Sequence, residues 1–341
     1  MQSAKIPTKL LILSDTHADP EIVPSSFVSQ EPVDVVIHCG DLTDGSKLEE
    51  YRTTLSLLAQ IDAPLKLIIP GNHDFTLDDG AFRKIRTESL RLNDGRLDEK
   101  SLDDAYGRVG QAKEMLVGDG IRLLLEEGIY TFTLGNGARL TVFASPFTPS
   151  KSNSNWGFQY HPDQGHDWSG ICSNQHEGII DVAITHGPPQ GILDRASGQR
   201  LGCPQLFSSI ARARPRVHCF GHIHESWGAK HVVWKDQGES PGTDDLNHYT
   251  CIDNDKSQVI ESIATLRPTK FDDEDAIRAK GEREQAYRVK RAVRATQGHG
   301  SESGSSSSTL FVNAAVQGPG DGSFQLPWIV TVDLDRKSGQ L

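Results

Sequence analysis

Short runs rich in Val, Ile and Leu recur along the chain, at 9–14, 34–38, 65–70, 129–134, 138–144, 179–185, 216–220, 229–234, 309–315 and 328–334. Apolar runs of this length, bounded by turn residues, predict strands. Between the early runs the period changes. Leu48, Tyr51, Leu55 and Leu58 fall on one face of a helix over 46–60. Helices are also predicted over 78–90 and 101–117, the second with Ser101 and Asp104 at its capping start and Gly118 as its stop. Early alternation of strand and helix predicts a mostly parallel sheet. The turn Leu134-Gly-Asn-Gly-Ala138 and later hairpins predict a second sheet with antiparallel strands.

Residues 235–308 break this pattern. Gly, Asp, Ser and Pro dominate near 236–247, and 298–308 is a Gly/Ser tract of the composition that stays disordered. Between them a charged helix is expected over about 272–295. Asp272-Asp-Glu-Asp275 opens it, and Arg288, Lys290, Arg291 and Arg294 close it, which complements the helix dipole. The expected organisation is one domain over 1–341 with 235–308 as an insertion, able to take a protein partner.

The chain has 341 residues and a net charge of −11. That balance argues against an extended nucleic-acid partner, which needs a Lys/Arg track. Five cysteines, an odd number without a CxxC pair, argue against a disulfide framework. The only apolar run near the N-terminus, Leu10-Leu-Ile-Leu13, is too short for a signal-peptide core, and no stretch reaches transmembrane length. A cytoplasmic location without membrane attachment is the expectation.

Chemistry-bearing residues sit where the apolar runs end: Asp15-Thr-His17, Gly40-Asp41-Leu-Thr-Asp44, Gly71-Asn72-His73-Asp74, Thr185-His186-Gly187 and Gly221-His222-Ile-His224. Strand ends are where α/β proteins place ligand chemistry. Carboxylate, imidazole and amide oxygen without thiolate suit Mn, Fe or Zn. Two such ions can polarise a phosphoryl group and lower the pKa of a bridging water. Asp15 and His17, at i and i+2, project to the same side of a strand end. His222 and His224 could do the same or serve two different ions. Each segment alone is compatible with a polar turn; five in this order point to a dinuclear site.

Together these residues resemble the calcineurin-like metallophosphoesterase superfamily, and within it the metallophosphoesterase-domain-containing (MPPED), class III phosphodiesterase-like branch. Ala144-Ser-Pro-Phe-Thr-Pro149, Trp156-Gly-Phe158, Thr185-His-Gly-Pro-Pro189 and Gly221-His-Ile-His-Glu225 carry the closer likeness. It covers 8–234 and resumes at 310–315; the 235–308 insertion and extra residues between Asp74 and Ile129 depart from it. The resemblance implies a four-layer α/β/β/α sandwich of two mixed β-sheets flanked by helices. It implies that Asp15, His17 and His224 bind one ion, that Asn72, His186 and His222 bind the other, and that Asp41 bridges them. Mn is the favoured metal.

His73 follows a ligand and cannot easily reach the same ion, so it reads as a proton donor to the phosphoryl or leaving oxygen. The alternative is a turn-stabilising residue. The resemblance pairs it with Asp44. Trp156, Phe158 and Phe147 either line a substrate pocket or pack beneath a loop. His38 reads as a buried structural histidine, Asp74 as support for its turn, and His161, His166 and His176 as solvated loop residues. The expected activity is hydrolysis of phosphate mono- or diesters, with a small molecule or nucleotide as substrate. A catalytically weak binding or scaffold protein is the alternative.

Overall fold

The computed structural model describes residues 5–22, 31–92, 98–118, 120–151, 156–172, 179–235, 246–297, 307–320 and 323–337. Its strands are β1 (Lys5–Leu13), β2 (Val35–His38), β3 (Leu65–Ile68), β4 (Ile121–Leu123), β5 (Gly128–Thr133), β6 (Arg139–Ser145), β7 (Thr148–Pro149), β8 (Gln159–Tyr160), β9 (Val182–Thr185), β10 (Arg195–Ala196), β11 (Gln199–Arg200), β12 (Val217–Phe220), β13 (Gly228–Trp234), β14 (Ile252–Ser262), β15 (Val293–Thr296), β16 (Ser308–Asn313) and β17 (Trp328–Asp335). Each expected apolar run overlaps one of them.

Two large mixed sheets result. One runs in the order β15-β17-β1-β2-β3-β4, the other β14-β13-β16-β12-β9-β6-β5. In the first, β1, β2, β3 and β4 are parallel, and β17 joins β1 antiparallel. In the second, β6, β9, β12 and β16 are parallel. The Leu134–Ala138 turn closes the antiparallel β5–β6 hairpin.

Alternation along each strand sorts side chains into three cores. Leu10, Ile12, Val35 and Ile37 face Val142, Val182, Val217 and Val312 between the sheets. Leu11, Leu13 and Val36 pack against Tyr51, Leu57 and Leu58 of the helix Leu48–Ala59. Ala183, Phe220 and Phe311 pack against Leu206, Phe207 and Ile210 of the helix Pro204–Ala213. The layers are therefore α/β/β/α, and the parallel strands of both sheets end on one common side.

Three local expectations change. The helix expected over 101–117 is two helices, Glu99–Tyr106 and Gln111–Met115, parted by Gly107 and Gly110 at positive φ. Asp98, not Ser101, is the cap; its carboxylate accepts from the Ser101 N–H at 2.8 Å. The charged helix runs Glu274–Lys290, capped by Asp273, and stops where Arg291 turns left-handed. Arg294 therefore belongs to β15, where it pairs with Glu31. Residues 235–308 also supply edge strands to both sheets, β14 to one and β15 to the other. The Gly/Ser tract lies largely outside the described residues. The five cysteines are free. Among the described residues no helix is long and apolar enough to cross a membrane.

Candidate metal centre

The chain leaves β1, β2 and β12 through sharply turned backbone. Asp15, His17, Asp41 and His222 have φ of 55°, 47°, 52° and 67°. Left-handed backbone at non-glycine residues costs about 1 kcal/mol or more each and clusters at functional sites. Close approach adds a second constraint. A Cβ on Gly221 would stand 2.0 Å from Asp15 Oδ2, and one on Gly71 would stand 2.2 Å from Asp41 Oδ1 in its own sheet and 2.6 Å from His186 Cε1 of the other. Only glycine lets the loops of the two sheets meet here.

Three sets of donor atoms converge as a result: Asp15, His17 and His224; His17, Asp41 and His73; and Asp41, His186 and His222. His224 Nε2 lies 3.3 Å from Asp15 Oδ1. Asp41 Oδ2 lies 3.3 Å from His186 Nε2 and 3.9 Å from His17 Nε2, so it stands between the outer sets. Asn72 Oδ1 lies 3.1 Å from His186 Nε2. Backbone donors hold the carboxylates in place: the His222 N–H reaches both Asp15 oxygens at 3.0 Å, and the His73 N–H reaches Asp41 Oδ1 at 2.9 Å. All seven residues that the resemblance assigns to metal thus meet in one cluster.

Burial and charge oppose each other across it. Burial alone would raise the Asp15 and Asp41 carboxyls, yet His224 holds Asp15 and His186 holds Asp41 well below the usual carboxylate range. Burial works against a charged His186, but the Asp41 charge and hydrogen bond push it up to about 9. His222 is pushed down to about 4 by burial and by the charge of His186. Burial also lowers His17. Ionised carboxylates beside His17 and His222, both held neutral, offer donors suited to a divalent cation, and a bound cation would displace the proton that the carboxylates hold on His186.

One observation tests the fit directly. Both ring nitrogens of His17 are buried and lack a hydrogen-bond partner. An orphaned buried imidazole is costly unless something completes it, and a cation between Asp15, His224 and Asp41 would do so. The residues present fit a metal.

Support comes from two buried histidines placed alike in the two sheets. His38 Nε2 is 3.0 Å from Thr16 Oγ1, and His218 Nε2 is 2.9 Å from Thr185 Oγ1. Each threonine immediately precedes an expected ligand, His17 or His186. His38 is thus structural, as its strand position suggested. Asp74 takes the N–H groups of Gly71, Leu42 and Thr43, which fixes the turn carrying Asn72 and His73.

The calcineurin-like phosphoesterase family matches residues 8–226, a span that holds every residue of this cluster. This chain belongs to that family. Curated relatives include metallophosphoesterase domain-containing protein 1 of Homo sapiens, 30% identical over 65% of this chain and 62% of its own length. A UPF0046 protein of Caenorhabditis elegans is 31% identical over 58% of this chain and 47% of its own. A probable rhamnogalacturonate lyase C of Emericella nidulans is 30% identical over 66% of this chain but only 18% of its own length. The chain spans less than two thirds of each of these relatives.

Around this calcineurin-like cluster, other candidates sit differently from expectation. His73 Nδ1 lies 2.6 Å from the Asp44 backbone carbonyl, while the Asp44 carboxylate is 3.8 Å away and 76% exposed. The partner of His73 is thus mainly the peptide oxygen of Asp44. Trp156 packs on the His73 ring with centroids 4.1 Å apart. Phe158 is buried in the core against Phe147, and neither lines the cleft over the cluster. His166 is not a solvated loop residue. It packs against Phe147 and Trp168 and meets Glu127 at 2.8 Å. His176 lies outside the described residues. Sequence reasoning missed residues 317–320 and 323–324, where Gln317 and Phe324 wall a cleft of about 540 Å³ over His73, His222 and His224. Nothing in the composition of these residues announces a site.

Proposed function

We propose that this protein is a metal-dependent hydrolase of small phosphate mono- or diesters, nucleotides included, working with two divalent ions. The observation that carries this reading is Asp41 Oδ2 standing between His17 and His186, each with its own neighbouring donors. When bound, divalent ions supply Lewis acidity to phosphoryl oxygens and lower the pKa of water. Asp15, His17 and His224 would hold one, Asn72, His186 and His222 the other, and Asp41 both.

The remaining work falls to the chain's own groups. A carbonyl oxygen accepts only, so the Asp44 peptide requires a proton on His73 Nδ1. That leaves Nε2 as the nitrogen available to the cleft. With a proton there, the ring can donate to the leaving oxygen; without one, Nε2 accepts. Trp156 against the ring limits its rotation and keeps water off one face. The His73 N–H meanwhile orients Asp41.

The test is hydrolysis of p-nitrophenyl phosphate and bis(p-nitrophenyl) phosphate by protein loaded with Mn²⁺, Fe²⁺ or Zn²⁺. Turnover that a chelator abolishes and added metal restores is expected. Metal-loaded, folded protein that cleaves neither ester overturns the reading.

A further inference from the structure

A second cavity, of about 550 Å³, adjoins the metal cluster and has no place in the reading above. It shares one wall residue, His222, with the cleft over the cluster. An occupant of this cavity is therefore contiguous with a group seated at His222.

The two spaces differ in charge. Among the described residues that line the cleft there is no Lys or Arg, and Asp19 and Glu225 stand at its rim. The second cavity is lined by Lys151 and Arg200, with Asp163 as the only acid among the described lining residues. Two cations converging on one hollow run against the net charge of −11 of the whole chain. Lys151 makes no ion pair among the described residues. Arg200 pairs with the buried Asp194 at 3.3 Å but stays half exposed. Gln199 and Gln205 add amide donors. Tyr160 closes the wall, and its hydroxyl oxygen is buried without a hydrogen-bond partner. The Cys203 thiol and the Trp168 indole are its polar neighbours. An unpaired lysine, a half-exposed arginine and amide donors in one hollow suit an anion.

We infer that the cavity lined by Lys151, Arg200 and Tyr160 binds a second anionic group of the substrate, a phosphate or a carboxylate, while the reacting phosphoryl group sits at His222. This rests on the phosphoesterase reading and narrows it to phosphoesters with a second anion. Residues of the short ladders β7–β8 and β10–β11 both line the cavity, with Lys151 just beyond the first and Arg200 on the second.

The test compares alkyl phosphates with α,ω-alkanediol bisphosphates and ω-phosphoalkanoates of about two to six carbons, a range that covers a side chain's reach. At the best length, wild-type kcat/KM for a doubly anionic ester should exceed that for the alkyl phosphate by about tenfold, or about 1.4 kcal/mol. Lys151→Gln should remove most of that advantage through KM and leave alkyl phosphate hydrolysis unchanged. Lys151→Arg should retain it. Whether bisphosphate or phosphoalkanoate gains more identifies the second anion.

Binding is measured alongside by calorimetry with the matching alkyl phosphonates and bisphosphonates, which do not turn over. A bisphosphonate advantage in the wild type that Lys151→Gln loses supports the inference even if no ester is cleaved, in which case the hydrolase reading alone falls. Equal binding and equal hydrolysis of singly and doubly anionic compounds, beside active alkyl phosphate cleavage, overturns the inference alone. So does an advantage that survives in Lys151→Gln.

Discussion

His218 Nε2 lies 2.9 Å from Thr185 Oγ1, and Thr185 donates its own proton to the Gly187 carbonyl at 2.7 Å. A hydroxyl has one proton, so His218 must be the donor to Thr185. The chain His218–Thr185–Gly187 clamps the turn that presents His186. Thr185→Val removes both bonds and leaves a buried imidazole N–H unpaired. Stability should drop by about 1–3 kcal/mol, read as a lower urea midpoint. An unchanged midpoint would contradict the clamp.

The same histidine sets a pH dependence. Burial pushes His218 from 6.5 down to about 3. The folded form therefore stays neutral while the unfolded chain takes up a proton below about 6.5. Its contribution is full above 6.5 and is lost as pH falls from there towards about 3. His38 is pushed the same way, to about 4, by burial. Urea unfolding at about pH 7.5 and about pH 5 should show a smaller loss on acidification in His218→Gln than in the wild type. Equal losses would contradict the assignment.

Metal content and turnover should separate in two variants. Asp41→Ala removes the oxygen between His17 and His186 and should empty both positions together. His73→Ala should keep metal content near normal and lower kcat by about 10²–10⁴, the usual range for a general acid or base. Elemental analysis beside kinetics reads both, and parallel metal loss in the two variants would refute the division of roles.

Gly221→Ala should act like the loss of a ligand although it removes none. Its Cβ would stand 2.0 Å from Asp15 Oδ2 and 2.2 Å from Ser14 Oγ. Asp15 must move away from His224. The expected result is weakened metal binding in a chain whose circular dichroism is retained. Wild-type metal affinity in this variant would show that the loop has room to shift.

Much of the fold was legible along the chain because buried strands need continuous apolar runs. Val35–His38, Val182–Thr185 and Val217–Phe220 are fully buried and announce themselves. Edge strands do not. Ile252–Ser262 reads IDNDKSQVIES, with only its Ile252 and Glu261 buried and β13 flanking it on one side only, so no apolar period marks it. Helix breaks at Gly107 and the Arg291 turn were likewise missed, since period alone runs across them.

By itself, the sequence determined which donor types exist and that each follows a buried strand; side-chain chemistry and burial pattern are local properties. Tertiary structure alone decided how they meet. Gly221 against Asp15 and Gly71 against His186 bring the loops of two sheets to touching distance, across separations in the chain that no local pattern encodes. It decided that His73 leans on the Asp44 carbonyl rather than its carboxylate, because the turn puts the peptide nearer. It also decided that Lys151 and Arg200, far apart in sequence and unremarkable there, share a hollow beside His222. Convergence of distant loops is a property of packing, and only the folded chain has it.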